Sequence, residues 1–194
     1  MTEQSGHIHS YYSPGDLYRK IVAGLETLGK DLATITLDDL QPVDEFHIRG
    51  DTATRELIEL AGFSPDMHIL DVGCGIGGSS RRLSRDTGCR VTGIDLSDEY
   101  IDTASRLTDL LKMQERVTFQ ACSALDLPFE DSAFDGIWSL QMNMNIEDKS
   151  GWLREIHRVL KPGGKAVLYE LAPGMEASQS GKAINLGCCL LSFE

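Results

Sequence analysis

The chain has 194 residues, 41% of them hydrophobic and 25% charged, with a formal net charge of -12. That length suits one domain with a substantial core, and so acidic a balance argues against nucleic acid or an anionic membrane as the main partner, since basic faces hold both. The cysteines (74, 89, 122, 188 and 189) follow no pairing framework and two are adjacent. A reducing compartment, the cytoplasm by default, is the expectation, with no signal peptide and no bilayer span.

Residues 1–15, with His7, His9, Tyr11 and Tyr12, read as a surface arm ending in a Ser-Pro-Gly turn. The two histidines lack an acidic or cysteine companion, so no metal site is expected. From Asp16 to Leu28, Leu17, Ile21, Leu25 and Leu28 recur at helical spacing, and Gly29 stops the run. A short turn over Thr36 to Leu40 ends before Pro42. Residues 1–43 therefore read as an arm with helices that lie outside any central sheet, serving either as a lid over the ligand cleft or simply as packing on the sheet.

Next comes Asp44-Glu45-Phe46-His47-Ile48-Arg49-Gly50, ahead of a helix from Asp51 to Ala61 that buries Leu57, Ile58 and Ala61. Asp51 is a reasonable N-cap. Arg49 suits a bidentate clamp on a carboxylate as well as it suits an exposed loop. His47 stands where a base would be useful.

The stretch Ile69-Leu70-Asp71-Val72-Gly73-Cys74-Gly75-Ile76-Gly77-Gly78 organises the chain. It reads as a short apolar strand ending in an acid, a glycine-dense turn, and a helix from Ser79 to Thr87. Gly73, Gly75 and Gly77 allow positive φ and let a ligand lie against bare main chain. The unpaired N–H groups of the helix start face the same spot. Gly73, Gly75 and Gly78 also match the dinucleotide spacing G-x-G-x-x-G. A pyrophosphate there would be repelled by Asp71, whereas the cationic sulfonium and ammonium of S-adenosylmethionine would be attracted. The charge pattern favours S-adenosylmethionine.

A second strand, Arg90 to Ile94, ends at Asp95, where a parallel neighbour would bring a carboxylate beside the turn to accept both hydroxyls of a ribose. Leu96 supplies an apolar wall for an adenine. Ser97 caps a helix striped by Ile101, Ala104, Leu107 and Leu111. Strand three, Val117 to Ala121, leads into Cys122-Ser123-Ala124-Leu125. Strand four, Phe134 to Leu140, emerges as Gln141-Met142-Asn143-Met144-Asn145, whose alternating amides suit either an acceptor or the cap of the next helix. That helix, about Gly151 to Leu160, buries Leu153, Ile156 and Val159 or Leu160. Lys161-Pro162-Gly163-Gly164 turns the chain into strand five, Lys165 to Glu170.

Strands alternating with helices imply an α/β, doubly wound, mostly parallel Rossmann-like sheet in the order 3-2-1-4-5. Over residues 44–173 the chain resembles the class I S-adenosylmethionine-dependent methyltransferases. The residues that carry the resemblance are Leu70 to Gly78, Gly93-Ile94-Asp95-Leu96, Leu125-Asp126-Leu127-Pro128-Phe129, Phe134-Asp135 and Leu160-Lys161-Pro162-Gly163-Gly164. The small-molecule subgroup acting on amines, quinols or sterols is the most similar, in part through Phe46-His47-Ile48-Arg49-Gly50.

The resemblance implies cofactor contacts from Arg49, Asp71, Gly73, Gly75, Gly77, Asp95, Leu96, Ser123, Ala124 and Ser139. His47 and Gln141 are the catalytic candidates, glutamine being able to orient an acceptor but not to deprotonate it. Ser123 stands where the family usually has an acid. Residues 174–194 form an atypical tail, too short for the family's two further strands, although Gly187 to Leu191 is apolar enough to cover an edge. A bare strand five would let two copies pair. The expected activity is methyl transfer to a small acceptor. A non-catalytic cofactor-binding protein and a dinucleotide oxidoreductase are the competing readings.

Overall fold

The run Ile69-Leu70-Asp71-Val72 is short and almost wholly apolar, which suits a strand buried on both faces. In the computed structural model of the chain, which describes residues 16–170 and 187–192, it forms β1 (His68–Val72) near the middle of a six-stranded sheet. The other strands are β2 (Arg90–Asp95), β3 (Val117–Ala121), β4 (Phe134–Leu140), β5 (Leu160–Glu170) and β6 (Gly187–Ser192), in the spatial order β3-β2-β1-β4-β5-β6. The first five are parallel, as the alternation of strands and helices requires.

Alternate residues along each strand feed two cores. On one face Ile69, Val91, Trp138 and Val167 pack against Ala53, Leu57 and Ala61 of α3 (Gly50–Ala61) and Leu83 of α4 (Gly78–Thr87). On the other, Leu70, Ile94, Ile137 and Leu168 meet Trp152, Ile156 and Val159 of α6 (Lys149–Val159). Between β2 and β3 runs α5 (Asp98–Leu110), its start capped by Ser97, whose hydroxyl accepts from Tyr100 N–H. Among the described residues no helix is long and apolar enough to cross a membrane.

The N-terminal helices α1 (Leu17–Thr27) and α2 (Leu37–Asp44) pack through Ile21, Leu25 and Leu40 onto Ile76 and Leu107. They are fastened by charge as well as by apolar contact. Arg81 and Arg82 of α4 have fully buried side chains. Arg81 donates to Asp44 Oδ1 at 2.6 Å, to the Ile76 carbonyl at 2.9 Å and to Thr108 Oγ1 at 3.1 Å. Arg82 reaches Asp38 at 3.1 Å and Asp51 at 2.8 Å. Burying such pairs carries a desolvation cost, and Nε of both arginines has no partner among the described residues.

Three sequence expectations are corrected here. The turn ending before Pro42 is instead an eight-residue helix that runs through it. A capping box, in which Asp39 Oδ2 accepts from Thr36 N–H at 2.9 Å, starts α2, and burial of Leu40 and Asp44 carries it one turn further. Strand five begins at Leu160 rather than Lys165. Its partner β4 steps from Phe134↔Leu160 to Gly136↔Lys165, so Lys161 to Gly164 loop out as a bulge with Gly163 at φ +75°. Finally, the strand-five edge is not free for pairing between copies: β6 runs antiparallel along it from Glu170↔Gly187 to Lys165↔Ser192. The arm with His7 and His9 lies outside the described residues.

Removing one partner of the Arg81–Asp44 pair strands a buried cation. Asp44→Ala is predicted to lower stability by about 3–5 kcal/mol, read as a reduced urea midpoint.

Candidate active site

The turn after β1 is built from main chain. Gly73, Gly75 and Gly77 all take positive φ, at +80°, +55° and +83°. The N–H groups of Gly73 and Cys74 both donate to the Ile94 carbonyl at 2.9 Å, which draws the turn against the end of β2. The glycines nevertheless do different things. A Cβ on Gly73 would collide with Met142, and one on Gly77 with Phe119 and Arg81, so these two serve close packing. A Cβ on Gly75 would meet nothing. Gly75 is the one glycine of this turn whose bare backbone faces open space, a cradle that any side chain would fill.

Two carboxyl groups flank the cradle in different ways. Asp71 is buried, and its Oδ2 accepts from Ser79 Oγ at 2.9 Å and Ser80 Oγ at 2.5 Å, both in the first turn of α4. Burial pushes its pKa up to about 6 against those two hydrogen bonds, with the nearby Asp95 charge adding to the rise. The sequence reading set this acid beside a ligand; the structure engages it with the helix start beneath the turn. Asp95 is the carboxylate at the turn itself. Its Oδ2 accepts from Gly75 N–H at 3.1 Å and its Oδ1 from Ser97 N–H at 2.9 Å, while partial burial raises its pKa.

Leu96, next to Asp95, and Leu125, after β3, are both large apolar side chains left about two-fifths exposed. Between them in the chain, Ser123 and Ala124 are partly buried, and Ser123 Oγ accepts from Leu125 N–H at 3.2 Å. Ser139 falls outside this group. It is fully buried and donates to the Val72 carbonyl at 3.0 Å, so its hydroxyl ties β4 to β1 rather than reaching a ligand.

Residues Glu45 to Arg49 form a strap across the carboxyl ends of β4 and β5. Ile48 is gripped twice: its N–H donates to Gln141 Oε1 at 3.1 Å, and its carbonyl accepts from Tyr169 O–H at 3.3 Å. His47 is turned inward. Its Nε2 lies 3.0 Å from the Gly50 carbonyl, which can only accept, so Nε2 carries the proton; Nδ1 lies 3.5 Å from Glu45 Oε2. Burial pushes the His47 pKa down and raises Glu45 to about 7. The side chain is only 8% exposed, with Nε2 committed to the Gly50 carbonyl. Arg49, expected as a carboxylate clamp, instead pairs with Glu56 at 2.6 Å.

The structure therefore brings Gly75, Asp95, Leu96, Ser123 and Ala124 to the ends of β1, β2 and β3, with Gln141 on the far side at β4. Chemically, this offers a bare main-chain cradle, an acid with two acceptor oxygens, and apolar surface beside them. The roles of Ser79, Ser80, Met142 and Tyr169 were missed in the sequence. Ser79 and Ser80 follow the glycine turn directly, which is a legible signal for a helix start; nothing local marks Met142 or Tyr169.

The chain's residues 70–168 match the family model described as "Methyltransferase domain". A methyltransferase of Streptomyces halstedii, GfsG, is 30% identical over 154 residues, covering 79% of this chain and 55% of the relative. The chloroplastic tocopherol O-methyltransferase of Arabidopsis thaliana is 39% identical over 116 residues, 57% of this chain and 33% of that protein. Among solved structures, phosphoethanolamine N-methyltransferase 2 of Haemonchus contortus, in complex with S-adenosyl-L-methionine, superposes with a TM-score of 0.64 at 28% identity, covering 71% of this chain and 32% of that one. The geranyl diphosphate C-methyltransferase of Streptomyces coelicolor A3(2) shares the fold, with a TM-score of 0.66 at 23% identity over 87% of this chain and 65% of that one. The chain spans about a third to about a half of the length of these two curated relatives.

The buried Asp71 carboxyl generates a prediction with a definite sign. Its folded pKa of about 6 lies above its ordinary value of 3.8, so its contribution is fully present below the ordinary value and is lost as pH rises through 6. Relative to Asp71→Asn, which keeps an acceptor for the two serines without titrating, the wild type loses stability between pH 4 and 6. The slope is on the order of 1 kcal/mol per pH unit, read from paired urea titrations.

Proposed function

The chain belongs to the methyltransferase family, and we propose that it moves the methyl group of S-adenosylmethionine to a small-molecule acceptor. The observation that carries this reading is the open cradle at Gly75 with the Asp95 carboxylate across it. The donor set fits the cofactor. Asp95 would exchange the N–H of Gly75 for the ribose hydroxyls, which are the better partners for two carboxylate oxygens. Leu96 and Leu125 would bracket the adenine, with Ser123 and Ala124 at its polar edge. The first turn of α4 turns its positive end toward a carboxylate. When bound, S-adenosylmethionine supplies an activated methyl group that an acceptor takes by in-line displacement at carbon.

This chain's own residues then align and shelter. The cradle and Asp95 fix one reactant, and Gln141 at the end of β4 orients the other from across the edge of the sheet. No described residue is assigned as a general base: His47 is nearly buried, with Nε2 committed to the Gly50 carbonyl. Residues 44–173 are the catalytic core in this proposal, with 1–43 as arm and lid and 174–194 as a tail. The acidic charge and unpatterned cysteines support a cytoplasmic location and a small acceptor rather than a nucleic acid.

Calorimetry combined with transfer of a labelled methyl group to amine and phenol acceptors tests the proposal; saturable binding with turnover is the expected outcome, and binding without turnover leaves a non-catalytic cofactor protein. Gly75→Ala places a methyl in the cradle and Asp95→Ala removes the acceptor oxygens. Each is predicted to weaken S-adenosylmethionine binding at least about tenfold, or about 1.4 kcal/mol.

A further inference from the structure

At the carboxyl edge of β4, two side-chain amides are left with unmet hydrogen-bonding demand. Gln141 Oε1 accepts from Ile48 N–H, and that donor settles which end of the amide is which, since an N–H does not point at an amide nitrogen. Gln141 Nε2 is then the free end, buried and without a partner among the described residues. Two residues on, Asn143 Oδ1 is in the same condition. Buried polar groups are rarely left unpaired, and each exception calls for an explanation. The orphaned Nε1 atoms of Trp138 and Trp152 lie in the apolar cores of the sheet. Gln141 and Asn143 do not: they flank Met142, whose side chain covers Gly73 of the turn. Gln141 also holds φ at +52°, a left-handed conformation that is costly for a residue with a side chain and persists where the surroundings impose it.

Resting on the methyltransferase reading and deepening it, we infer that Gln141 Nε2 and Asn143 Oδ1 are a donor–acceptor pair for a hydroxyl of the methyl acceptor. The amide hydrogen donates to the hydroxyl oxygen, and the hydroxyl donates to Asn143 Oδ1. The pairing selects among chemical classes. A protonated amine offers only donors and a carboxylate only acceptors, so neither satisfies both atoms, whereas a phenol or alcohol does. The body that carries the hydroxyl is apolar. Ile48, held to Gln141 through its backbone, leaves its side chain partly exposed, and Phe46 beside it is 81% exposed. Gln141 thus uses one end of its amide to seat the strap and the other to read the acceptor.

The test uses the full chain saturated with S-adenosylhomocysteine and titrated calorimetrically with 4-butylphenol and 4-butylanisole, which share a shape but differ in the ability to donate. The phenol is expected to bind at least about tenfold more tightly. Equal affinities, or no phenol binding to protein that has taken up S-adenosylhomocysteine, overturn the inference and mean that the two amides hold water only. Failure of S-adenosylhomocysteine itself to bind overturns the cofactor reading, and this inference with it.

Gln141→Glu sharpens the result, because a carboxyl still accepts from Ile48 N–H but donates only when protonated. The charged groups beside this edge are Glu170, which accepts from Met142 N–H and Asn143 N–H, and Lys149, with Arg49 on the strap. Phenol affinity of the variant is expected to fall at least about tenfold at pH 8 and to recover as pH drops, with S-adenosylhomocysteine affinity unchanged. A loss that does not vary with pH marks a merely structural role and overturns the assignment.

Discussion

One carboxylate joins the two strand ends on which the site depends. Asp95 stands at the end of β2, and its two oxygens take the N–H of Gly75 from the turn after β1 and the N–H of Ser97 from the start of α5. The glycine turn has little stiffness of its own, since three of its residues are held at positive φ without side chains. What fixes it is this carboxylate on one side and the paired N–H groups of Gly73 and Cys74 on the Ile94 carbonyl behind. Both restraints come from β2. The parallel register Asp71↔Gly93 and Val72↔Ile94 therefore determines the shape of the cradle before any ligand arrives. The strand order turns around β1, and a parallel sheet opens a crevice where its order reverses.

Around that point buried polar and charged side chains hold parts together. Asp71 anchors Ser79 and Ser80 beneath the turn, Arg81 fastens Asp44 of α2, and Arg82 joins Asp38 to Asp51. These groups share one consequence. They fix where α2 and the strap lie relative to the turn, so the N-terminal helices are set by polar geometry as well as by the apolar cluster of Ile21, Leu25 and Leu40. Desolvation is the cost, and it is visible in the raised pKa values of Asp71 and Glu45.

Most of the sheet was legible because its signals are local. Short apolar runs ending in acids or amides marked β1, β2 and β4, and helical spacing marked α3 and α5. Asp95 was legible for the same reason: the interval from the glycine turn and a parallel neighbour put it at the turn. The strap was not legible. Ile48 meets Gln141 across 93 positions and Tyr169 across 121, and no periodicity encodes such pairings. His47 and Arg49 were read from their place along the chain, whereas burial beside Glu45 and an ion pair with Glu56 decide what they do. Ser139 failed likewise, since a strand-end hydroxyl gives no sign of which face it occupies. The KPGG run shows a subtler limit, because turn residues looked like an end to pairing but form a bulge inside it.

The account's central claim is that the turn between β1 and α4, gripped by Asp95, is where a cationic methyl donor sits. Amide chemical-shift mapping of the labelled chain during titration with S-adenosylmethionine tests it most directly. The account predicts that the largest shifts fall on Gly75 and Ser97, whose N–H groups lose or share the Asp95 carboxylate, and next on Leu96 and Ala124. Shifts confined to other regions, or the same amides moving for NAD and not for S-adenosylmethionine, would contradict it.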